Sequence, residues 1–236
     1  LARRRFFVDS IRGGQAELRG DDARHLTRVL RVEPGQQFEI SDNRSVYLAE
    51  IVEARGDRVV FRVESGIESP PPPVRITLCA SLIKFDRFEW IVEKATELGV
   101  ESILPVEAAR TERGLFEASQ KRSERWERIA RESSQQSRRT TLPEILPAAR
   151  FDAALKLASD ARLFLEEETA PPMMRALVER PETAAVLLGP EGGWTERERE
   201  LAAAAGWTAV SLGPQVLRAE TAAVAALAVL IGAALR

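Results

Sequence analysis

The stretch AAVLLGPEGGW, residues 184–194, decides how this chain is read, and VSLGPQVLRAETA, residues 210–222, echoes it. Each copy opens as a short apolar run and breaks at Leu-Gly-Pro, the pattern of a buried strand that ends in a loop. Both loops feed helices. After the first, Thr195 stands three residues before Glu198, the capping-box spacing, and Leu201, Ala202 and Ala205 continue at helical intervals. Gly192 and Gly193 lie just ahead of that cap, where the chain turns sharply and where missing side chains let a ligand approach the backbone. After the second loop, Arg218 and Glu220 precede an apolar helix. Taken alone, either copy is an ordinary strand-to-helix turn. Two in the same order point to one pocket lined by both.

The first loop is similar to a phosphate cradle, yet it lacks the Lys of GxxxxGK[ST] and the spacing of GxGxxG. It carries Glu191 instead, and an anionic side chain beside a helix N-terminus competes for the positive dipole end that a pyrophosphate needs. ATP, GTP and NAD are therefore disfavoured.

LLGPEGGW together with LGPQVLRAETA resembles the RsmE family of bacterial 16S rRNA methyltransferases, enzymes of the SPOUT class. The resemblance implies an S-adenosylmethionine-dependent enzyme that methylates N3 of a uridine in small-subunit rRNA, acting on 16S rRNA or the small ribosomal subunit. Two further segments carry it. KFDRFEWIVEKATELGVESILP, residues 84–105, is similar to the family's KATELGV segment, with Gly99 as a helix C-cap. HLTRVLR, residues 25–31, resembles the HLxxVLR signature of the family's N-terminal PUA-like domain, a fold associated with RNA binding.

Composition is compatible with this. At 236 residues, 44% hydrophobic and 30% charged, the chain is long enough for one large domain or two smaller ones with a substantial core. A formal net charge of -2 argues against an indiscriminate coat for nucleic acid, so the distribution matters more than the sum. Arg3, Arg4, Arg5, Arg12, Arg19, Arg24, Arg28 and Arg31 crowd the N-terminal part, residues 110–139 form a second basic block, and acidic residues such as Glu166 and Glu168 come later. The single cysteine, Cys79, cannot form an internal disulfide, and the single histidine, His25, reads as a structural hydrogen-bonder. No paired Cys or His spacing implies a metal. Arg3–Arg5 precede too short an apolar run for a secretory signal, and the longest nearly uncharged run, residues 221–235, is too short to span a bilayer. A cytoplasmic protein with no membrane segment is expected.

In chain order, runs at 37–40, 46–51 and 59–63 are separated by Pro34-Gly35, Asp42-Asn43 and Gly56-Asp57, the spacing of a small β-barrel or sandwich. A short helix over 21–31 interrupts it, with Leu26, Val29 and Leu30 inward. ESPPPPV, residues 68–74, is a stiff spacer. It separates residues 1–69, a PUA-like RNA-binding barrel, from 74–236, the methyltransferase domain. Beyond it, strands at 75–80, 102–106, 162–165, 184–188 and 208–212 alternate with helices at 85–98, 122–137, 151–157, 173–180, after 195 and at 221–235. Alternation of this kind predicts an α/β fold, a parallel sheet with helices on both faces. Pattern alone suggests an open doubly wound sheet; the resemblance implies a SPOUT trefoil knot, with the C-terminal helix threaded through an earlier loop.

The resemblance also assigns residues. Leu188, Gly189, Pro190, Glu191, Gly192, Gly193, Leu212, Gly213, Val216, Leu217, Arg218, Thr221 and Ala222 would form the S-adenosylmethionine pocket. Arg218 is the candidate for stabilising charge on the uracil oxygens or for gripping the adjacent phosphate, and Glu220 for taking the N3 proton or orienting Arg218. Arg5, His25, Arg28, Arg31, Arg110, Gln136, Arg138 and Arg139 are the candidate RNA contacts. SSQQSRRTTLP, residues 133–143, departs from the family's EQSGR pattern: Gln135 stands at the Glu position, so any proton handled by that carboxylate is handled otherwise here, and Arg138 stands at the Gly position, so the loop is reshaped if that Gly serves a special backbone angle. Arg138 and Arg139 are expected to emerge there with little acidic compensation. RAETA replaces RTETA, so Ala219 lacks a hydroxyl. The apolar helix of 221–235, rich in small residues, predicts a homodimer, and the resemblance implies that both chains complete each site. The rival readings are a non-catalytic RNA-binding protein, a nucleotide-dependent Rossmann enzyme and a knotted methyltransferase for another RNA.

Overall fold

The computed structural model describes residues 5–167, 169–177 and 180–235. Arg3, Arg4 and Glu168, singled out above, lie outside them. The chain divides into two compact units, residues 1–71 with 131–142 and residues 72–130 with 143–236. Boundaries at 1–69 and 74–236 would leave 131–142 on the other side. Long-range bonds explain why it belongs with the first unit: Gln135 Nε2 donates to Asp22 Oδ2 at 3.0 Å, and Arg5 Nη1 donates to the Arg138 carbonyl at 2.6 Å.

In the first unit, β1 (Arg5–Phe7), β2 (Ile11–Arg12), β3 (Gln15–Arg19), β4 (Gln37–Ser41), β5 (Val46–Arg55) and β6 (Arg58–Ile67) form a six-stranded sheet in the order β1-β4-β5-β6-β3-β2. Only the β1–β4 pairing is parallel. Alternating side chains such as Ala16 and Leu18 join Phe6, Ile40, Ile51 and Phe61 in one apolar cluster. The helix expected over 21–31 is α1 (Gly20–Arg24) followed by a π turn, His25–Val29. It buries Leu26 completely but leaves Val29 64% and Leu30 41% exposed, correcting the expectation that all three pack inward. An apolar face at i, i+3 and i+4 needs 3.6 residues per turn. Here the Leu30 amide reaches back to the His25 carbonyl at 3.0 Å, an i→i+5 bond that carries the following side chains past that face.

The second unit is a seven-stranded parallel sheet: β7 (Arg75–Ser81), β8 (Ser102–Glu107), β9 (Glu144–Ile145), β10 (Ala149–Arg150), β11 (Ala161–Leu165), β12 (Thr183–Leu188) and β13 (Thr208–Val210). The order is β10-β8-β7-β12-β11-β13, with β9 beside β8. β12 is central, and alternate residues serve two cores. Ala184, Val186 and Leu188 pack with α2 (Phe85–Glu97) and α7 (Ala219–Ala234); Ala185 and Leu187 pack with α5 (Phe151–Ala154), α6 (Glu196–Ala204), Trp194 and Trp207. Helices thus cover both faces, and α3 (Leu115–Ser119) and α4 (Ser123–Gln136) lie between β8 and β9 in the chain. Gly99, at φ 87°, ends α2 as a C-cap requires. Two helices are shorter than expected: α5 stops at Ala154, and over 173–180 the structure forms a 3₁₀ turn, Met173–Ala176, with residues 178 and 179 outside the described set. Among the described residues no helix is long and apolar enough to cross a membrane, and no cluster of three His, Cys, Asp or Glu is placed to hold a metal ion.

Candidate active site

β11, β12 and β13 are parallel and in register, Phe164 opposite Leu187 and Leu165 opposite Val210, so their carboxyl ends open on one edge of the sheet. The loops leaving that edge enclose a cavity of about 310 Å³. Leu165, Glu166 and Glu167 line it from β11, Leu188, Gly189, Pro190, Glu191, Gly193 and Trp194 from β12, and Leu212, Gly213, Gln215, Val216, Leu217, Arg218, Ala219 and Ala222 from the approach to α7. Arg87 of α2 completes the wall. This is the position where open α/β sheets bind ligands.

The glycines have separate reasons. A Cβ on Gly189 would lie 3.1 Å from the ring of Trp194, whose Nε1 donates to the Leu165 carbonyl at 2.8 Å and so fastens the two loops together. Gly193 has φ 67°, and a Cβ there would fall 1.8 Å from Glu167 Oε1. A Cβ on Gly192 would meet not the cavity but the Arg110 side chain, at 3.3 Å. The capping box read from the sequence is present: Thr195 Oγ1 accepts from the Glu198 amide at 3.3 Å, and Glu198 Oε2 accepts from the Thr195 amide at 2.8 Å.

Charges of both signs face the cavity. Glu191 meets Arg87 at 3.2 Å, and Glu166 is held by Arg199 through two bonds of 2.7 and 3.1 Å. Arg218 is exposed. Of the expected pocket residues, Gly192 and Thr221 are off the lining; Thr221 faces outward. Glu220 is off it too, with Oε2 enclosed and, among the described residues, without a hydrogen-bond partner. Sequence reasoning missed Arg87, Leu165, Glu166 and Glu167. Arg87 stands in the KFDRFEW segment that the resemblance covers, whereas the Glu pair carries no local signal because only the pairing of β11 with β12 brings it to the site.

The expected RNA contacts divide. Arg28, Arg31 and Gln136 are exposed, and His25 is half-buried. Arg5 is not on the surface: it is 7% exposed and donates to Glu39 Oε2 at 2.9 Å, so its guanidinium is an internal ion-pair partner. Arg138 also pairs with Glu39, which corrects the expectation of an uncompensated charge. Its φ is 58°, in the left-handed region that favours Gly. Arg139 is half-buried, and burial pushes its pKa down to about 10. Arg110 Nη1 donates to the Gly192 carbonyl at 2.6 Å.

Residues 70–231 match the RNA methyltransferase domain family, and residues 18–64 match the RNA methyltransferase PUA domain. A ribosomal RNA small subunit methyltransferase E from Synechocystis is 37% identical over 86% of this chain and 68% of its own length. One from Mycobacterium bovis is 32% identical over 94% and 88%. The crystal structure of a ribosomal RNA small subunit methyltransferase E from Neisseria gonorrhoeae bound to S-adenosyl methionine is similar at TM-score 0.88 and 31% identity, covering 96% of this chain and 95% of that one. The parallel sheet, the loops at its carboxyl edge and the first unit's sheet are therefore those of a known enzyme class, and this chain belongs to the ribosomal RNA small subunit methyltransferase E family of RNA methyltransferases.

Proposed function

We propose that this protein transfers a methyl group from S-adenosylmethionine to N3 of a uridine in small-subunit rRNA, in the cytoplasm and as a homodimer. The observation that carries the reading is the cavity built from three loops at one edge of a parallel sheet, in a chain similar to a relative solved with S-adenosyl methionine. Its size falls in the ~300–1,000 Å³ range of small-molecule sites. Gly189 and Gly193 line the cavity, and Leu188, Leu212, Val216 and Leu217 supply apolar contact.

When bound, S-adenosylmethionine supplies a methyl group on a positively charged sulfur, an electrophile that needs no further activation. The protein's task is to hold the uracil in line and manage its N3 proton. Arg218, exposed at the cavity, offers guanidinium donors to a uracil oxygen as charge develops there. Glu220, two residues from Arg218 and with a carboxylate oxygen that is enclosed and unpartnered among the described residues, takes the proton or orients Arg218 in this reading. RNA is held by Arg28, Arg31 and Gln136.

The dimer reading is supported by α7, whose Ala219, Ala223, Ala226, Leu227, Leu230 and Ala233 are buried in its own unit while Thr221, Ala228, Gly232 and Leu235 form an uncharged outward face.

The experiment is mass spectrometry of rRNA from cells with and without the gene, paired with calorimetric titration of the protein with S-adenosylmethionine. A methylated uridine that disappears with the gene, and saturable binding, are expected. Binding of RNA without binding of S-adenosylmethionine would leave a non-catalytic RNA-binding protein.

A further inference from the structure

We propose that Arg110 and Glu198 are positioning residues: a brace, anchored on the buried Glu198 and carried by the exposed Arg110 side chain, that holds the turn of residues 190–193 in its ligand-ready shape, so that Arg110 serves the cofactor rather than the RNA. The inference rests on the S-adenosylmethionine reading above.

Glu198 is an unusual capping residue. It is only 4% exposed, and a capping box needs one of its oxygens. Oε2 fills that role, accepting from both the amide and the hydroxyl of Thr195 at 2.8 Å. Oε1 turns the other way and accepts from the Ala109 amide at 2.8 Å, in the loop that follows β8. A buried carboxylate is retained only when its lone pairs are met, and here two segments 89 positions apart meet them. Ala109 is thereby fixed, and the next residue, Arg110, crosses to the glycine turn. Its Nη1 donates to the Gly192 carbonyl at 2.6 Å, and its stem passes 3.3 Å from where a Cβ on Gly192 would sit. The other end of the same peptide is also held, because the Gly193 amide donates to the Pro190 carbonyl at 2.9 Å. The Gly192–Gly193 peptide is therefore tied on both sides by the protein itself, which limits the freedom that two adjacent glycines would otherwise lose on binding. Gly192 lacks a side chain to admit the brace; Gly193 lacks one to admit Glu167 and the left-handed backbone.

The test measures three quantities on Arg110→Ala, Arg110→Lys, Glu198→Gln and Gly192→Ala: S-adenosylmethionine affinity by calorimetry, RNA affinity by filter binding, and hydrogen exchange of the Gly193 amide in the ligand-free protein. Arg110→Ala is expected to weaken S-adenosylmethionine binding about 10-fold, to speed Gly193 exchange, and to leave RNA affinity unchanged. Gly192→Ala, which displaces the arm while keeping the guanidinium, should do the same. Glu198→Gln removes one acceptor and should move cofactor affinity and exchange in the same direction. Arg110→Lys restores part of the lost affinity, since one ammonium donor still reaches the carbonyl. Reduced RNA affinity with unchanged cofactor binding in Arg110→Ala would make Arg110 an RNA contact, and no change in exchange in any variant that folds would equally overturn the brace. If the unaltered protein fails to bind S-adenosylmethionine, the functional reading falls, while Gly193 exchange still decides the brace.

Discussion

At the scale of the residue, Arg138 shows how a departure from a family pattern is absorbed. A side chain at φ 58° costs about 1–2 kcal/mol relative to the right-handed region, a cost that Gly does not carry. The Arg138 guanidinium offsets part of it by pairing with Glu39, whose side chain is only 9% exposed. Arg138→Gly loses the pair and the strain together and is expected to change stability by less than about 1 kcal/mol. Arg138→Ala keeps the strain, loses the pair and should destabilise by about 1–2 kcal/mol more than the Gly variant. Equal urea midpoints for the two would refute the strain argument. Glu39 also predicts a pH dependence. Burial by itself lifts its carboxyl; hydrogen bonds from Arg5 and Arg138, with their charges, outweigh that and hold it below the ordinary value of 4.5. A carboxyl depressed in the folded state contributes stability above its unfolded pKa and loses it as pH falls through the folded one. The contribution is thus complete above 4.5 and disappears below it, and Glu39→Gln should flatten the acid limb of a stability-versus-pH curve while lowering the plateau. In the active site, Arg218→Ala should fold normally and lose on the order of 2–4 kcal/mol of transition-state stabilisation, read as kcat/KM for RNA methylation. Near-normal turnover would remove Arg218 from the mechanism.

At the scale of the element, the π turn of His25–Val29 separates two roles that a regular helix would merge. Leu26 is fully buried, so Leu26→Ala should cost about 2–5 kcal/mol, whereas Val29→Ala and Leu30→Ala, at exposed positions, should each stay within about 0.5 kcal/mol. A cost above about 2 kcal/mol for Val29→Ala would return that side chain to the core. The same turn presents Arg28 and Arg31 to solvent. If they meet phosphates, each replacement by Ala should lower the slope of log affinity against log salt by about one and leave S-adenosylmethionine binding as it was. An unchanged slope would mark them as solvated surface charges.

At the scale of the whole molecule, the question is what covers α7. Its outward side, Thr221, Ala228, Gly232 and Leu235, has no charge to favour water, and Leu235 alone is 70% exposed. Small residues let a second helix approach closely, and a two-fold axis would pair this face with its own copy. Ala228→Arg is expected to leave the fold intact and convert the dimer into monomers, measured by light scattering at low micromolar concentration. A monomeric unaltered protein that still methylates RNA would end the dimer proposal.

What the sequence by itself determined is local. The strand and helix periods of the second unit, the capping box of Thr195 and Glu198, the C-cap at Gly99 and the two Gly-Pro turns all follow from contacts within a few residues, and the family follows from those motifs. What only the tertiary structure decided depends on which distant segments meet. Arg5 and Arg138 read as basic surface until Glu39, 34 and 99 positions away, pairs with both. Glu166 and Glu167 enter the site because β11 lies beside β12, a neighbour relation that no periodicity encodes. The outward turn of Val29 and Leu30 depended on one backbone bond skipping to the fifth residue, a choice invisible to an apolar pattern that suits an ordinary helix equally well. A threaded C-terminal helix, which the resemblance implies, would likewise be a property of the chain's path, whereas side-chain spacing reports only which face of each element is apolar.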